Sequence, residues 1–373
     1  MISIQEITTK KGMKQFVKFP FSVYKDNPYW VPPIIKDELE NLNKDKNPAF
    51  EHADARFFLA LKNDKIVGRI AAIINQYEVE KQGLKKMRFG WYEVIDDIEV
   101  SKALLNKVHE IGKENNLEFV EGPVGFSNLD KVGVLIEGFD HIGTMITWYS
   151  PPYYKEHLEK LGYSKAKEYL ENKFDIANVD HAYYKKIARI IKHRYKLRSA
   201  NFQKTSEIMP YVDEMFALFS KTYSKLASFV PISDNQIKYF KEKYISFVNP
   251  EFIKFVFDEN DKMVAFAIIM PSFAEALQKA KGKLFPFGIF HLLKARKNPR
   301  VVTSYLIGVD ENYQNKGVTG IVFDEYMDSF LAMNVETMVR TPELEENTAI
   351  HQIWKNFDQS THKRRRTYKK DIK

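Results

Sequence analysis

The chain contains no cysteine. That absence excludes disulfides, thiolate metal ligands and a thiol nucleophile. It suits a reducing compartment, and a cytoplasmic location is expected. No apolar run approaches the roughly twenty residues that a membrane-spanning helix needs, so none is expected. The first residues, Met1-Ile-Ser-Ile-Gln-Glu-Ile7, read as a strand and lack the basic-then-apolar order of a secretory leader. There is no Gly-x-Ser-x-Gly elbow, which removes a serine hydrolase of that type. The nine histidines show no i, i+4 pairing with an acidic partner, so no metal site is expected.

The length of 373 residues points to two domains. A content of 44% hydrophobic and 28% charged residues is that of a globular chain with a sizeable core. The formal net charge of +8 is gathered in clusters: Lys185, Lys186 and Arg189; Lys192 and Arg194; Lys294, Arg296 and Lys297; Lys363 to Arg366. No recognised nucleic-acid-binding motif accompanies them. Solvated faces and a polyanionic ligand are the favoured reading, and no specific nucleic-acid partner is expected.

Residues 301–326 organise the rest. Val301 to Val309 is a β-rich apolar run. A polar turn, Asp310 to Lys316, leads to Gly317, and Val318, Ile321, Val322, Phe323 and Tyr326 then recur at helical spacing. A strand, a glycine turn and a helix start leave several N–H groups unpaired and aimed one way, which suits phosphate oxygens. A side chain at 317 would keep a pyrophosphate from the backbone. Farther on, Asn347 is a natural N-cap for a helix whose apolar stripe is Ala349, Ile350, Ile353, Trp354 and Phe357.

Val309, Tyr313, Gln314 and Gly317 resemble the pyrophosphate loop of the GCN5-related N-acetyltransferase (GNAT) superfamily, Val-x-Pro-x-Tyr-Arg/Gln-x-x-Gly-x-Gly/Ala. Glu311 replaces the common proline, and Thr319 the second small residue. Asn347, Ala349 (one place earlier than the commonest spacing) and Phe357 are similar to a second GNAT motif, Asn-x-x-Ala-x-x-x-Tyr-x-x-Phe. The resemblance implies an α/β (α+β) fold of two tandem GNAT-like domains, each a mixed, mostly antiparallel sheet flanked by helices. It implies acetyl-CoA or a longer acyl-CoA as substrate, held by Ile307, Val309, Gln314, Asn315, Lys316, Gly317, Val318, Thr319 and Asn347.

The first half repeats the order of the second: a hairpin turning at Lys62-Asn-Asp-Lys65, a strand Met87 to Val94, a helix from Ile98 and a strand Glu118 to Pro123. Between that strand and helix lie only Ile95-Asp96-Asp97. Two carboxylates at a helix N-terminus satisfy its dipole and repel a pyrophosphate. Residues 1–176 are therefore expected to form a degenerate N-terminal domain, and 177–373 the cofactor-binding one.

Other segments leave their readings open. The aromatic and proline-rich stretch Gly122 to Tyr154 serves either as a pocket wall or as a structural plug. Residues 207–227 read as one amphipathic helix. The insertion 272–300 has an apolar set, Leu284, Phe285, Phe287, Ile289, Phe290, Leu292 and Leu293, that suits core cover, an acyl channel or a membrane-surface contact. Core cover is the expectation.

Acyl transfer to an amine needs a free amine, a polarised thioester carbonyl and a proton for the leaving thiolate. Many GNAT enzymes take that proton from a tyrosine at the position matched here by Trp354. Tyr313, Tyr326 and Tyr368 are substitutes, Asp310, Glu311 and His351 are possible bases, and none is singled out. The expected activity is N-acyltransfer from acyl-CoA to a small-molecule amine by a monomer or homodimer. The rivals are a non-catalytic acyl-CoA-binding or scaffold protein and a tRNA-dependent aminoacyl transferase of the peptidoglycan cross-bridge type.

Overall fold

The computed structural model describes every residue except Asn128, Ala227, Ser228 and Ser246. Among the described residues fourteen strands follow in chain order: β1 (Ile2–Glu6), β2 (Ala53–Lys62), β3 (Lys65–Asn75), β4 (Lys86–Val94), β5 (Phe119–Gly122), β6 (Val134–Glu137), β7 (Ser164–Asp175), β8 (Arg198–Ala200), β9 (Ile253–Phe257), β10 (Met263–Pro271), β11 (Val301–Val309), β12 (Thr337–Arg340), β13 (Glu343–Leu344) and β14 (Ser360–Asp371). The chain forms two compact units. The first holds residues 1–170 together with 273–292 and 362–373; the second holds 171–272 and 293–361.

In the first unit β1, β2, β3 and β4 pair antiparallel, β4 and β5 pair parallel, and β14 closes antiparallel on β5. The expected hairpin is present, with Lys62 opposite Lys65. Asn63 and Asp64 both have positive φ, as a two-residue turn matching strand twist requires. Ile98–Glu114 is the helix that follows β4, and it buries the expected stripe Leu104, Leu105, Val108 and Ile111. These side chains join Phe58, Phe89, Val94 and Val120 in one core cluster, each worth roughly 1.5–3 kcal/mol for leaving water.

In the second unit β8, β9, β10 and β11 pair antiparallel, β11 and β12 pair parallel, and β12 pairs antiparallel with the end of β7. The β11–β12 ladder has only four rungs, Val301–Ser304 against Thr337–Arg340, whereas β11 stays paired with β10 out to Val309. The two parallel strands thus part company after Ser304. Val318–Ala332 is the helix that follows β11, and it buries Val318, Ile321, Val322, Phe323 and Tyr326 as the spacing predicts.

Some elements differ from expectation. Residues 207–227 are not one helix. A short helix, Thr205–Ile208, and a 3-10 turn, Met209–Tyr211, precede the helix Val212–Tyr223. Pro210 has no N–H to give a continuous helix, and Ala227 lies outside the described residues. Gly122 to Tyr154 includes β6, while Asn128 lies outside the described residues. In the insertion, Phe285, Phe287, Phe290 and Leu293 are exposed, so the expectation of core cover fails for them. No helix among the described residues is long and apolar enough to cross a membrane.

Candidate functional site

The turn after β11 is built by its own short polar side chains. Asp310 accepts hydrogen bonds from the Asn312 amide at 3.0 Å and from Lys221 Nζ at 2.8 Å. Its carboxyl is held below the usual range despite burial, because Lys221 and the amide favour the charged form. Glu311 pairs with Lys225 at 2.9 Å. Both carboxylates are therefore engaged as turn and ion-pair groups, and neither stands free as a base.

Gln314, Asn315, Lys316 and Gly317 are exposed at the tip of the turn. Asn315 and Gly317 have φ of 59° and 77°. Gly317 is the N-cap of the helix Val318–Ala332, and no side chain caps that helix end. Its first turn carries no acidic residue. Among the described residues, the amides of Val318 and Thr319 meet no protein acceptor; the Gly320 amide turns back to the Gly317 carbonyl at 2.9 Å. Unpaired amide donors and the positive end of a helix dipole thus converge on one spot.

A Cβ at 317 would lie 3.3 Å from Ile191, and one at 320 would lie 2.8 Å from Ile187. Both isoleucines belong to the helix His181–Tyr195, which packs against the turn. That helix exposes Lys185, Lys186, Arg189 and Arg194. Two of the four basic clusters noted in the sequence therefore lie on the element beside the uncapped helix end, where they raise the local positive field. Lys316 Nζ lies over the rings of Tyr195 and Tyr313 at 5.3 and 5.4 Å.

Two of the expected cofactor residues on β11 already have partners. The Ile307 carbonyl accepts from the Tyr223 hydroxyl at 3.1 Å, and the Val309 carbonyl accepts from Gln314 Nε2 at 3.1 Å. Asn347 caps the helix Thr348–Trp354 by accepting from the Ile350 amide at 3.3 Å. Of that helix's expected stripe, Trp354 is buried and Phe357 beyond it is buried, while Ala349 is exposed.

The structure also brings together groups that the sequence did not mark. Arg340 ends β12 with no exposed surface, and its Nη2 donates to Glu343 at 2.7 Å. Its Nε and Nη1 meet no acceptor in the protein among the described residues. Its guanidinium stacks 4.9 Å from the centre of the Trp354 ring. Burial pushes the Glu343 carboxyl up to about 7, against the pull of the Arg340 charge. His351 Nδ1 is 4.0 Å from the same carboxylate. Burial pushes the Tyr223 hydroxyl up to about 12, and Glu343 adds to that rise. A carboxyl raised toward neutrality beside a buried cation with spare donors is a candidate functional group. The one local hint was Glu343 following Arg340 at the end of a strand, and only burial gives it meaning.

The tyrosines considered from the sequence fare differently. Tyr326 donates to the Phe252 carbonyl at 3.0 Å within the core. Tyr368 donates to Glu159 at 2.9 Å in the first unit. Trp354 is buried and supplies no transferable proton. In the first unit the matching helix start is closed: Asp97 accepts from the Glu99 amide at 3.0 Å and pairs with Lys62 at 2.8 Å.

No family model matches the chain. It is 28% identical to protein YghO of Escherichia coli (strain K12), across 100% of this chain and 97% of that protein. It is 28% identical over 175 residues to the bacterial ceramide synthase of Caulobacter vibrioides, 47% of this chain and 46% of that one. Among solved structures, a tandem GNAT protein from the clavulanic acid biosynthesis pathway covers 100% of this chain and 99% of its own, with a TM-score of 0.59 at 8% identity. A GCN5-related N-acetyltransferase from Sphaerobacter thermophilus covers 100% and 96%, with a TM-score of 0.53 at 8% identity. The resemblance read from two short motifs thus holds for the whole architecture, and the chain has the tandem GNAT fold.

Proposed function

We propose that the protein is an acyl-CoA-dependent N-acyltransferase. The observation that carries this reading is the helix start at Gly317, an exposed residue at which no side chain caps the helix, set past the point where β11 leaves β12. Its amides offer donors to a pyrophosphate, with Gln314, Asn315 and Lys316 around them. Ile307 and Val309 line the approach along β11, and Asn347 shapes the far wall through the helix it caps. The functional division runs at 176/177, the first part having given up cofactor binding to the Asp97 carboxylate. The protein works in the cytoplasm.

Glu343 is the proposed proton carrier. A carboxyl near 7 takes a proton from the attacking amine as it bonds to the thioester carbon. It then gives that proton to the departing thiolate, whose conjugate acid is weaker at roughly 8.5. The carbon–sulfur bond breaks, an amide forms, and one proton has moved from nitrogen to sulfur. One group then does both tasks, which accommodates Trp354 at the position where GNAT enzymes often have tyrosine. The spare Arg340 donors supply positive charge for the oxygen on which charge develops.

The acceptor is proposed to be a long-chain amine. Likeness to a ceramide synthase supports this, because a ceramide is the amide of a long-chain amino alcohol. Titration with acetyl-CoA and longer acyl-CoAs by calorimetry, followed by release of free thiol across amines of increasing chain length, tests the proposal. Failure to bind any acyl-CoA removes it. Binding without thiol release favours a non-catalytic acyl-CoA-binding protein, the reading that Trp354 suggests. A salt-sensitive shift with tRNA in place of acyl-CoA binding would favour aminoacyl transfer instead.

A further inference from the structure

Between Ala276 and Val309 the chain has seven basic residues, Lys279, Lys281, Lys283, Lys294, Arg296, Lys297 and Arg300, and no acidic one. Within that span Phe285, Phe287 and Phe290 are 75%, 70% and 64% exposed, an unusual amount of bare aromatic surface for one short segment. Lys279, Lys281 and Lys283 are exposed just before them. The helix Gly288–Lys297 that carries Phe290 ends in the basic turn Lys294, Arg296 and Lys297.

The loop that presents these rings is held in place rather than frayed. The Ile289 amide donates to the Leu284 carbonyl at 2.6 Å and the Phe290 amide to Phe287 at 3.2 Å. At Gly288 a Cβ would sit 2.0 Å from the Lys283 carbonyl oxygen, so only glycine closes this loop. The Ile35 amide bonds the Gly282 carbonyl at 2.9 Å, and Gln278 Nε2 donates to the carbonyls of Pro28 and Trp30 at 2.7 and 3.0 Å. The aromatic tips are thus fixed outward on the first unit at low cost in conformational entropy.

We infer that this segment is a docking surface for an anionic lipid bilayer. Phenylalanine rings at a rigid tip insert at the boundary between headgroups and acyl chains, while lysines on both sides meet anionic headgroups. A protein partner of ordinary interface composition would meet charges of both signs here, and every charged residue of this segment is a cation. The inference stands on exposure and charge and does not depend on the acyltransfer reading, although a surface of this kind would bring an enzyme to acceptors that reside in a membrane.

The test is sedimentation of the full-length protein with vesicles of phosphatidylcholine alone or of phosphatidylcholine with phosphatidylglycerol. Binding is expected to the anionic vesicles, weakening as salt rises. The combined variant Phe285→Ala, Phe287→Ala and Phe290→Ala is expected to bind about ten-fold or more weakly. Lys279→Glu with Lys283→Glu is expected to lose affinity by a similar factor. Both variants keep the wild-type melting temperature, since every altered side chain is solvent-exposed. Absence of binding to anionic vesicles at low salt would overturn the inference, as would undiminished binding by the phenylalanine variant. So would a wild-type dimer in sedimentation velocity that the phenylalanine variant dissolves, because a second copy would then be what covers the patch.

Discussion

The role proposed for Glu343 rests on the low exposure of its side chain. Its carboxyl, raised to about 7, favours the protonated state in the folded protein. The stability this gives is fully present below the ordinary value of 4.5 and is lost as pH rises through about 7. Glu343→Gln does not titrate, so its stability relative to wild type should improve by on the order of 3 kcal/mol between those limits. Melting temperatures of both forms across that pH window check it. The same variant should lower kcat by about 10²–10⁴-fold and remove the fall in rate on the acid side of pH 7, while acyl-CoA affinity stays unchanged. An unaltered pH–rate profile would reduce Glu343 to a structural partner of Arg340. Gly317 makes the complementary prediction. Gly317→Glu places a carboxylate where a pyrophosphate is expected, and it should abolish acyl-CoA binding in calorimetry. The left-handed φ of 77° adds a stability loss of roughly 1–2 kcal/mol.

At the scale of elements, the two helix starts that follow a central strand are alike in sequence position and opposite in electrostatics. The helix Ile98–Glu114 is capped by Asp97, whereas Val318–Ala332 has only Gly317 at its start. Asp97→Ala should cost about 1 kcal/mol at neutral pH through loss of the cap. Lys62 and the Glu99 amide hold the Asp97 carboxyl below its ordinary value of 3.8. Its stabilisation is therefore present above that value and disappears as pH falls through the lowered one. The melting-temperature gap between wild type and Asp97→Ala should accordingly close in acid, and a gap that persists would place the effect elsewhere. The local signals at both helices, an Asx cap in one and a glycine turn in the other, were readable because they depend on near neighbours. The break at Pro210 was equally local and could have been read from proline's missing N–H.

For the whole molecule, ligand linkage gives the broadest check. An acyl-CoA present at about a hundred times its dissociation constant should stabilise the protein by about 2.7 kcal/mol. Thermal shift measures that gain. Hydrogen exchange should locate the protection at residues 314–320 and leave 95–100 unchanged. Protection at both places would mean that the first unit also binds the cofactor. The net charge of +8 speaks for affinity to polyanions in general, so thermal shifts measured at low and high salt separate CoA recognition from simple charge attraction.

Local sequence was enough to set most of the alternation of strands and helices, the buried stripes of Ile98–Glu114 and Val318–Ala332, the hairpin at Asn63-Asp64 and the glycine turn at Gly317. Each of these is set by side-chain period and turn chemistry within a few residues. Tertiary structure alone decided which distant groups meet: Tyr223 on the Ile307 carbonyl, and Trp354 beneath the Arg340 guanidinium that Glu343 holds. It also put residues 273–292 and 362–373 into the first unit and left Phe285, Phe287 and Phe290 in solvent. An apolar residue carries no mark of whether another element will cover it. A carboxylate likewise carries no mark of the dielectric it will meet, because both are properties of the packed neighbours and not of the local chain.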